Sequence, residues 1–288
     1  MIRIEGGSKG VSDMKNKNIK KAVRKGYAAI ATQDTSCCGP VSSCCGNSDP
    51  AVDISKKIGY TEEDLKSVPD GSNLGLGCGN PIALASLKEG ETVLDLGSGA
   101  GFDCFLAARK VGRTGKVIGV DMTPEMIDKA RDNAKRGNYG NVEFRLGEIE
   151  KIPAADSSVD TVISNCVINL SPHKRRVFQE AFRILKPGGR LMVSDLVLTS
   201  PLPDSVKNSI EAYVGCLAGA SLKKDYLKTI REAGFHDVAV IEEASFPPEL
   251  MANDPTAQAI AKDRDIPRKD FRKAVKSVVS IRVKGIKP

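Results

Sequence analysis

The stretch from Thr92 to Cys104 reads TVLDLGSGAGFDC, a short apolar run that leads into three closely spaced glycines. The apolar run predicts a buried strand, and the residues after the glycines have the pattern of a helix. Gly97, Gly99 and Gly101 allow a tight turn and let a ligand approach the backbone, which a Cβ atom would obstruct. The stretch therefore predicts a strand, a glycine turn and a helix in succession.

Acidic residues stand at the ends of this strand and of the next one. Asp95 belongs to the first apolar run, and the apolar segment that ends in Asp121 follows the last glycine by about twenty residues. This order is typical of nucleoside-binding units, in which the second carboxylate binds the ribose hydroxyls. A nicotinamide-binding unit has similar spacing. However, a carboxylate beside the turn is poorly suited to a pyrophosphate and favours a cationic ligand that carries an amino group.

Alternating strand and helix patterns begin at Glu91 and predict an α/β fold with a mostly parallel sheet. The predicted strands cover 92–96, 116–121, 142–147, 159–165, 190–197, 236–242 and 277–284. The predicted helices cover 18–31, 54–59, 61–67, about 101–111, 124–136, 173–185, 203–219 and 221–233, with a helical insert before the last strand. Residues 1–25 are expected to be loosely ordered apart from the start of the first helix, and 33–50 to form a loop.

The charge of the chain is uneven along its 288 residues. Residues 1–25 carry 8 basic and 2 acidic side chains, and residues 262–288 carry 10 and 3, whereas the overall net charge is +7. Basic residues at the ends favour solvated tails over a nucleic-acid-binding face. The first residues lack the apolar core of a secretory signal, and we find no apolar run long enough to cross a bilayer. The expectation is a cytoplasmic protein with no nucleic-acid or membrane partner.

Eight cysteines are unusual for a chain expected in a reducing compartment, where structural disulfides are rare. They are Cys37, Cys38, Cys44, Cys45, Cys78, Cys104, Cys166 and Cys216. Cys166 follows the fourth predicted strand, whose carboxyl end faces the ligand crevice of an open α/β sheet. A lone cysteine is more often a small buried hydrophobe, and we assign Cys104 to the core on that basis. The position of Cys166 favours a functional role.

Cys78 and Cys216 each lie among glycines and other small residues, which permit close approach to a shared pocket. Three thiols without histidine or carboxylate suit a soft, thiophilic centre. A structural zinc site would use four ligands in closely spaced cysteine pairs, a spacing that these three residues lack. The two histidines, His173 and His236, are expected at the surface or at helix ends. The sequence therefore predicts a thiol site in the crevice.

The segment 90–200 resembles the class I S-adenosylmethionine-dependent methyltransferases. The resemblance implies a Rossmann-like, mostly parallel seven-stranded sheet with helices on both faces, an N-terminal segment and a C-terminal insert. It also implies S-adenosylmethionine as the cofactor, with Met122 packed on the adenine and Glu148 and Ile149 at its edge. The cofactor-binding residues on this basis are Asp95, Gly97, Ser98, Gly99, Gly101, Asp121, Met122, Glu148, Ile149 and Asn165.

The motifs around the cysteines resemble the arsenite S-adenosylmethionine methyltransferases over most of the chain. The matching motifs are NCVINL at 165–170, GCG at 77–79, GCLAGA at 215–220 and the cysteine-rich loop at 37–45. The resemblance implies that Cys78, Cys166 and Cys216 bind trivalent arsenic and are the catalytic residues. A fourth cysteine is expected from the N-terminal loop; four candidates compete, and Cys44 or Cys45 is favoured. Glutathione or thioredoxin is implied as the reductant.

These patterns predict three parts of the chain: an N-terminal cysteine-containing cap at 1–90, a cofactor-binding core at 91–200, and helices and final strands at 201–288 that complete the sheet and the substrate site. The expected reaction is methylation of thiol-bound arsenite to mono- and dimethylated products, a detoxification. One alternative is a carbon methyltransferase for a quinone or sterol precursor, which needs no thiol cluster. Another is a metalloid-binding protein without catalysis, which the nucleoside motif disfavours.

Overall fold

The computed structural model describes residues 7–32, 50–214, 216–245 and 266–288. Seven strands form one sheet within these ranges: β1 Thr92–Leu96, β2 Lys116–Asp121, β3 Val142–Leu146, β4 Val159–Asn165, β5 Leu185–Leu198, β6 His236–Ser245 and β7 Val278–Ile286. Their order across the sheet is β3-β2-β1-β4-β5-β7-β6. Strand β7 runs antiparallel to β5 and β6, whereas the pairs from β3 to β5 are parallel. The predicted α/β fold with a mostly parallel seven-stranded sheet is confirmed.

Eleven α-helices accompany the sheet in the described ranges: α1 Gly7–Thr32, α2 Pro50–Lys57, α3 Glu62–Lys66, α4 Pro81–Leu84, α5 Phe102–Val111, α6 Pro124–Arg136, α7 Lys174–Ile184, α8 Asp204–Lys207, α9 Ile210–Val214, α10 Lys223–Glu232 and α11 Arg268–Lys276. Helix α3 begins at a complete capping box, in which Thr61 and Asp64 each accept the backbone N–H of the other. This reciprocal bond explains why such a short helix starts where the sequence predicts.

Strand β1 contributes side chains to both faces of the sheet, because successive residues of a strand point in opposite directions. Val93 is fully buried with Phe105 of α5 and the buried side of α6. Leu94 and Leu96 are fully buried in a second cluster, on the other face of the sheet, that includes Phe178 of α7 and residues of α10. The sheet is therefore the middle layer between two helical layers, with one apolar core on each face.

The carboxyl ends of β1 and β4 lie side by side at the centre of the sheet, with Leu96 paired to Ser164. After β1 the chain continues to β2 on one side, and after β4 it continues to β5 on the other side. A crevice opens where the chain leaves two neighbouring strands in opposite directions, and ligands of open α/β sheets bind in such a crevice. The glycine turn and Cys166 both adjoin this crevice.

Several elements differ from their predicted extents, and three of these differences are the largest in consequence. Strand β5 begins at Leu185 rather than at 190, because Leu185 already pairs with Val159 across an irregularity in the ladder. The predicted helix 203–219 is two short helices, and Ser209 caps the second by accepting the N–H of Ala212. Helix α1 begins at Gly7, so the expectation that the residues before the predicted helix at 18–31 are loosely ordered is wrong for 7–17.

The packed part of α1 lies toward its carboxyl end, where Val23 is buried against the helices that follow β5. Helical structure therefore extends backward from an anchored segment into residues with weak helix propensity. In the part of the chain that the structure describes, no helix is both long enough and apolar enough to cross a membrane. The boundaries of the three predicted parts of the chain stay a prediction.

Candidate active site

The glycine turn after β1 forms one side of a cavity at the crevice. Gly97, Gly99 and Gly101 have φ values of 69°, 51° and 96°, which L side chains rarely adopt. An ideal Cβ on Gly97 would lie 2.4 Å from the side chain of Val167, whereas a Cβ on Gly99 would meet no atom within 4 Å. Gly97 is thus required by packing, and the backbone at Gly99 faces open space that a ligand can enter.

Eight of the ten residues that the sequence assigns to the cofactor line this cavity: Asp95, Gly97, Ser98, Gly99, Asp121, Met122, Ile149 and Asn165. Gly101 and Glu148 are not among the lining residues. Gly101 packs instead against Phe105 and Phe144, which a Cβ would contact at less than 3 Å. The hydroxyl of Ser98 is buried without a hydrogen-bond partner among the described residues, so it is available to a ligand.

Three carboxyl groups, those of Asp95, Asp103 and Asp121, form an acidic wall of the cavity. Burial is the largest cause that raises the pKa of each group, and the charge of Asp103 also raises the pKa of Asp95. Asp121 accepts backbone N–H groups of Gly99 and Thr123 at 3.0 and 2.8 Å. A cluster of buried acids with raised pKa values favours a cationic ligand, since such a ligand offsets their repulsion.

Asp103 was not identified from the sequence as a site residue, although it belongs to the stretch that decides the fold. Its carboxylate accepts the Tyr60 hydroxyl at 2.6 Å and the Asn165 side-chain amide at 3.0 Å. Asn165 in turn accepts the backbone N–H of Cys78 at 3.1 Å. This network joins the cavity to the loop that carries Cys78. An acid in the first turn of a helix is a recognisable signal for Asp103, but nothing local marks Tyr60.

Burial raises the pKa of Asp103 from its ordinary value of 3.8 to about 6, against the opposing hydrogen bonds from Tyr60 and Asn165. The folded state therefore binds this proton more tightly than the unfolded state. The resulting stabilisation is complete below about pH 4 and is lost as the pH rises to about 6, by up to about 3 kcal/mol. Relative to the Asp103→Asn variant, the native protein should lose stability over this interval.

The measurement is the free energy of unfolding in urea, taken for both proteins at several pH values from 4 to 7. The variant also changes hydrogen bonds to Tyr60 and Asn165, but that contribution shifts the whole curve and leaves its slope unchanged. The charge of Asp103 also raises the pKa of Asp95, so the difference between the two curves reports the titration of Asp103 together with its effect on Asp95. A difference that stays constant from pH 4 to pH 7 would contradict the assigned shift.

The three predicted thiol ligands, Cys78, Cys166 and Cys216, are brought together at the carboxyl end of β4, beside the middle of β5. All three are buried, and they belong to one packed cluster. The thiol of Cys216 donates to the backbone carbonyl of Cys166 at 2.9 Å, and the thiol of Cys78 donates to the carbonyl of Ser194 at 3.6 Å. Cys166 also lines the cavity beside the glycine turn, so the thiol cluster adjoins this cavity directly.

Burial raises the pKa of the Cys78 thiol. The hydrogen bond from Cys216 acts to lower the pKa of Cys166. The contact of Cys166 with Cys78 and the burial of Cys166 outweigh that effect and raise its pKa well above the ordinary value. In the unliganded protein these two groups are therefore neutral thiols near neutral pH. They differ in this respect from activated cysteine nucleophiles, which have lowered pKa values.

The backbone around the thiols is strained and closely packed. Cys166 and Cys216 have φ values of 58° and 62°, in the left-handed region that non-glycine residues seldom adopt. An ideal Cβ on Gly79 would lie 1.9 Å from the Ser194 hydroxyl, and one on Gly219 would lie 2.1 Å from a backbone carbonyl oxygen. The glycines beside Cys78 and Cys216 are thus required for close approach, as predicted, and strain of this kind is concentrated at functional sites.

Asp195 is a second residue that the sequence did not identify. An oxygen of its carboxylate and the sulfur atoms of Cys78 and Cys166 all lie within 4.8 Å of one another. Burial raises the pKa of Asp195 to about 7, against a hydrogen bond from Tyr226 and the charge of Lys174. An acid in the middle of β5 gives no sequence signal, because its neighbours are determined by the pairing of strands distant in sequence.

Helix α1 closes one side of the cavity, where Lys20, Val23 and Tyr27 line it. The ammonium of Lys20 lies 2.9 Å from carboxylate oxygens of both Glu148 and Glu150. Burial acts to lower the pKa of Lys20, but the hydrogen bonds and charges of the two glutamates outweigh it and raise the pKa. Glu148, expected at the adenine edge, thus anchors α1, whereas its neighbour Ile149 faces the cavity. The favoured Cys44 and Cys45 lie outside the described residues, as do Cys37 and Cys38.

A family model described as "Methyltransferase domain" matches residues 87–234. An arsenite methyltransferase of Halobacterium salinarum is 52% identical over 237 residues, which is 80% of this chain and 60% of the relative. One from Aquipseudomonas alcaligenes is 40% identical over 210 residues, 70% of this chain and 58% of the relative. The chain thus spans about three fifths of the length of these curated relatives.

The solved structures include an arsenic (III) S-adenosylmethionine methyltransferase from Chlamydomonas reinhardtii. It is 34% identical, with a TM-score of 0.60, and the match covers 83% of this chain and 74% of the algal chain. This match extends beyond the methyltransferase domain, over most of both chains. The chain therefore belongs to the methyltransferase-domain family and, within it, to the family of the arsenic(III) S-adenosylmethionine methyltransferases.

Proposed function

We propose that this protein transfers a methyl group from S-adenosylmethionine to trivalent arsenic held by Cys78, Cys166 and Cys216. The observation that carries the proposal is the position of Cys166, which lines the nucleoside-type cavity and belongs to the buried thiol cluster. A methyl donor in the cavity and an acceptor on the thiols would therefore meet at one residue. The similarity to arsenite methyltransferases over most of the chain supports the same substrate.

The residues that line the cavity fit S-adenosylmethionine. The cofactor supplies a methyl group on a cationic sulfur when it is bound. The open space at Gly99 admits the nucleoside, and Asp121 offers its carboxylate to the ribose hydroxyls. Asp95 and Asp103 provide negative charge for the amino group, and the free Ser98 hydroxyl provides a further donor or acceptor. Met122 and Ile149 supply apolar contacts for the adenine.

Capture of arsenite by the thiols requires no separate base. Arsenite is a neutral trihydroxide near neutral pH, and each neutral thiol that binds arsenic can give its proton to a departing hydroxide, which leaves as water. The raised pKa values of Cys78 and Cys166 are compatible with this exchange, because no free thiolate has to persist in the buried site. Arsenic bound by three thiolates keeps a lone pair, and this lone pair is the nucleophile toward the methyl group.

The remaining chain has supporting roles in this proposal. Residues 1–90 form a cap, of which α1 closes the cofactor cavity; residues 91–200 form the cofactor-binding core; and residues 201–288 complete the sheet and supply Cys216. A fourth thiol from the loop at 37–45, with Cys44 or Cys45 favoured, assists arsenic binding. Methylation oxidises arsenic formally, so a thiol reductant such as glutathione or thioredoxin acts as a partner, in a cytoplasmic setting.

The direct test is an assay of the purified protein with arsenite, S-adenosylmethionine and glutathione, in which arsenic species are separated and quantified by mass spectrometry. We expect mono- and dimethylated arsenicals that increase with time and require all three components. Tight arsenite binding without methylated products would favour the metalloid-binding alternative. Methylation of a quinone precursor in the absence of arsenite turnover would favour the carbon methyltransferase.

A further inference from the structure

The carboxylate of Asp195 is held rigidly beside the thiol cluster. One oxygen accepts the side-chain amide of Asn169 at 2.9 Å and the backbone N–H of Leu196 at 3.0 Å. The other oxygen accepts the hydroxyl of Tyr226 at 2.9 Å. The side chain is fully buried. Three donors at fixed positions hold the carboxylate in one orientation. They favour its ionised form, whereas burial favours its protonated form.

This charge does not assist the capture of arsenite. The negative charge of Asp195 raises the pKa values of Cys78 and Cys166, which opposes the formation of thiolates. A buried carboxylate also costs folding free energy unless it is well paired. The charge of Lys174 acts on Asp195, but burial lowers the pKa of Lys174 itself to about 8 despite the charges of Asp195 and Cys216. A costly anion at the acceptor site requires another explanation.

We propose that Asp195 stabilises the positive charge that arsenic acquires during methyl transfer. This inference rests on the proposed function. The lone pair of thiolate-bound arsenic forms the new carbon–arsenic bond, and the carbon–sulfur bond of the sulfonium breaks with its electron pair left on sulfur. The donor sulfur becomes neutral, and the arsenic centre becomes a four-coordinate cation. One positive charge therefore moves from the cofactor sulfur to arsenic, toward the group that Asp195 adjoins.

The location of Asp195 makes this effect selective for the transition state. The sulfur atoms of Cys78 and Cys166 and an oxygen of Asp195 lie within 4.8 Å of one another, so arsenic bound to these two thiolates would be close to the carboxylate. The arsenic is neutral before the transfer and cationic after it, so its attraction to the carboxylate increases as the positive charge moves from the sulfonium sulfur to arsenic. A fixed charge in a water-excluded site stabilises developing charge of opposite sign more than it stabilises the ground state, and this difference lowers the barrier.

The test compares the native protein with the Asp195→Asn variant, which keeps the shape of the side chain and removes its charge. We expect the single-turnover rate of methyl transfer, at saturating arsenite and S-adenosylmethionine, to fall by about 10²- to 10³-fold. The dissociation constants of arsenite and of S-adenosylhomocysteine should each change by less than about threefold, because neither ligand carries the developing charge. Asp160→Asn is the matched control, because Asp160 pairs with Lys186 at the opposite end of β4.

A second variant keeps the inference testable if the first one does not fold, as judged by thermal unfolding. Asp195→Ser leaves space beside the thiols, and added formate should then restore at least about a tenth of the lost activity, whereas neutral formamide should restore none. Rescue by both compounds, or a full rate in either folded variant, would overturn the inference. So would a loss of rate that saturating arsenite restores, since that result indicates a binding role.

Failure of the inference is distinguishable from failure of the proposed function. If the native protein and the Asp195→Asn variant methylate arsenite at equal rates, only the role of Asp195 is overturned. Native protein that produces no methylated arsenic would overturn the proposed function and this inference with it.

Discussion

Replacement of Cys166 by serine is expected to reduce arsenite methylation by roughly three orders of magnitude or more, because groups that act as a unit lose most of their effect when one is removed. Cys166 is the only one of the three clustered thiols that lines the cofactor cavity as the structure describes it. A serine hydroxyl is a poor ligand for trivalent arsenic, which prefers soft thiolates. Cys216→Ser should have a similar effect, and Cys78→Ser should mainly impair the first methylation.

The measurement is the rate of formation of each methylated product, together with the affinity for S-adenosylhomocysteine by calorimetry. The cofactor affinity serves as the internal control, since serine is smaller than cysteine and leaves the cavity open. It should stay within about threefold of the native value. If the Cys166→Ser variant methylates arsenite at the native rate, Cys166 is not an arsenic ligand and the proposed site is wrong.

The second large effect is expected for Gly99→Ala, which should weaken cofactor binding by about 100-fold or more. A Cβ at this position meets no protein atom within 4 Å and points into the cavity, where it would occupy space needed by the nucleoside. The variant also carries the cost of a left-handed backbone with a side chain, about 1–2 kcal/mol. Affinity for S-adenosylhomocysteine and the free energy of unfolding separate these two effects.

Gly188→Ala is the matched control for this substitution. Gly188 has a φ of 76° and no atom within 4 Å of its ideal Cβ, so it incurs the same kind of backbone cost. It lies at the exposed start of β5, far from the crevice in the sheet. Both variants should lose similar stability, and only Gly99→Ala should lose cofactor affinity. Equal affinities in the two variants would show that the cofactor does not approach Gly99.

The central part of the fold could be predicted from sequence because its signals are local. The apolar runs of β1 and β2 and the glycines between them appear as continuous patterns, and the rules of parallel sheets then place their carboxyl ends together. The same rules placed Cys166 at the crevice. The glycines beside Cys78 and Cys216 indicated close packing, and the structure places the three thiols in one cluster.

The parts that could not be predicted depend on contacts between distant segments. Asp195 and Tyr60 stand in ordinary sequence surroundings, and their significance comes from Cys166 and Asn165, which other strands and loops bring to them. The length of α1 was underestimated for a similar reason. Its amino-terminal residues have weak propensity, and the helix is anchored by contacts of Lys20 with glutamates more than a hundred residues away.

One hydrogen bond in the structure has a consequence for how the protein is made. The hydroxyl of Ser280, on β7, donates to the backbone carbonyl of Cys78 at 2.7 Å across 202 positions of sequence. Strand β7 can pair with β5 only after both have been synthesised, and pairings between such distant segments form late in folding. A growing chain therefore exposes Cys78 and Cys166 before their arrangement is fixed. The buried arrangement of these two thiols is thus reached only after the last strand of the sheet is in place.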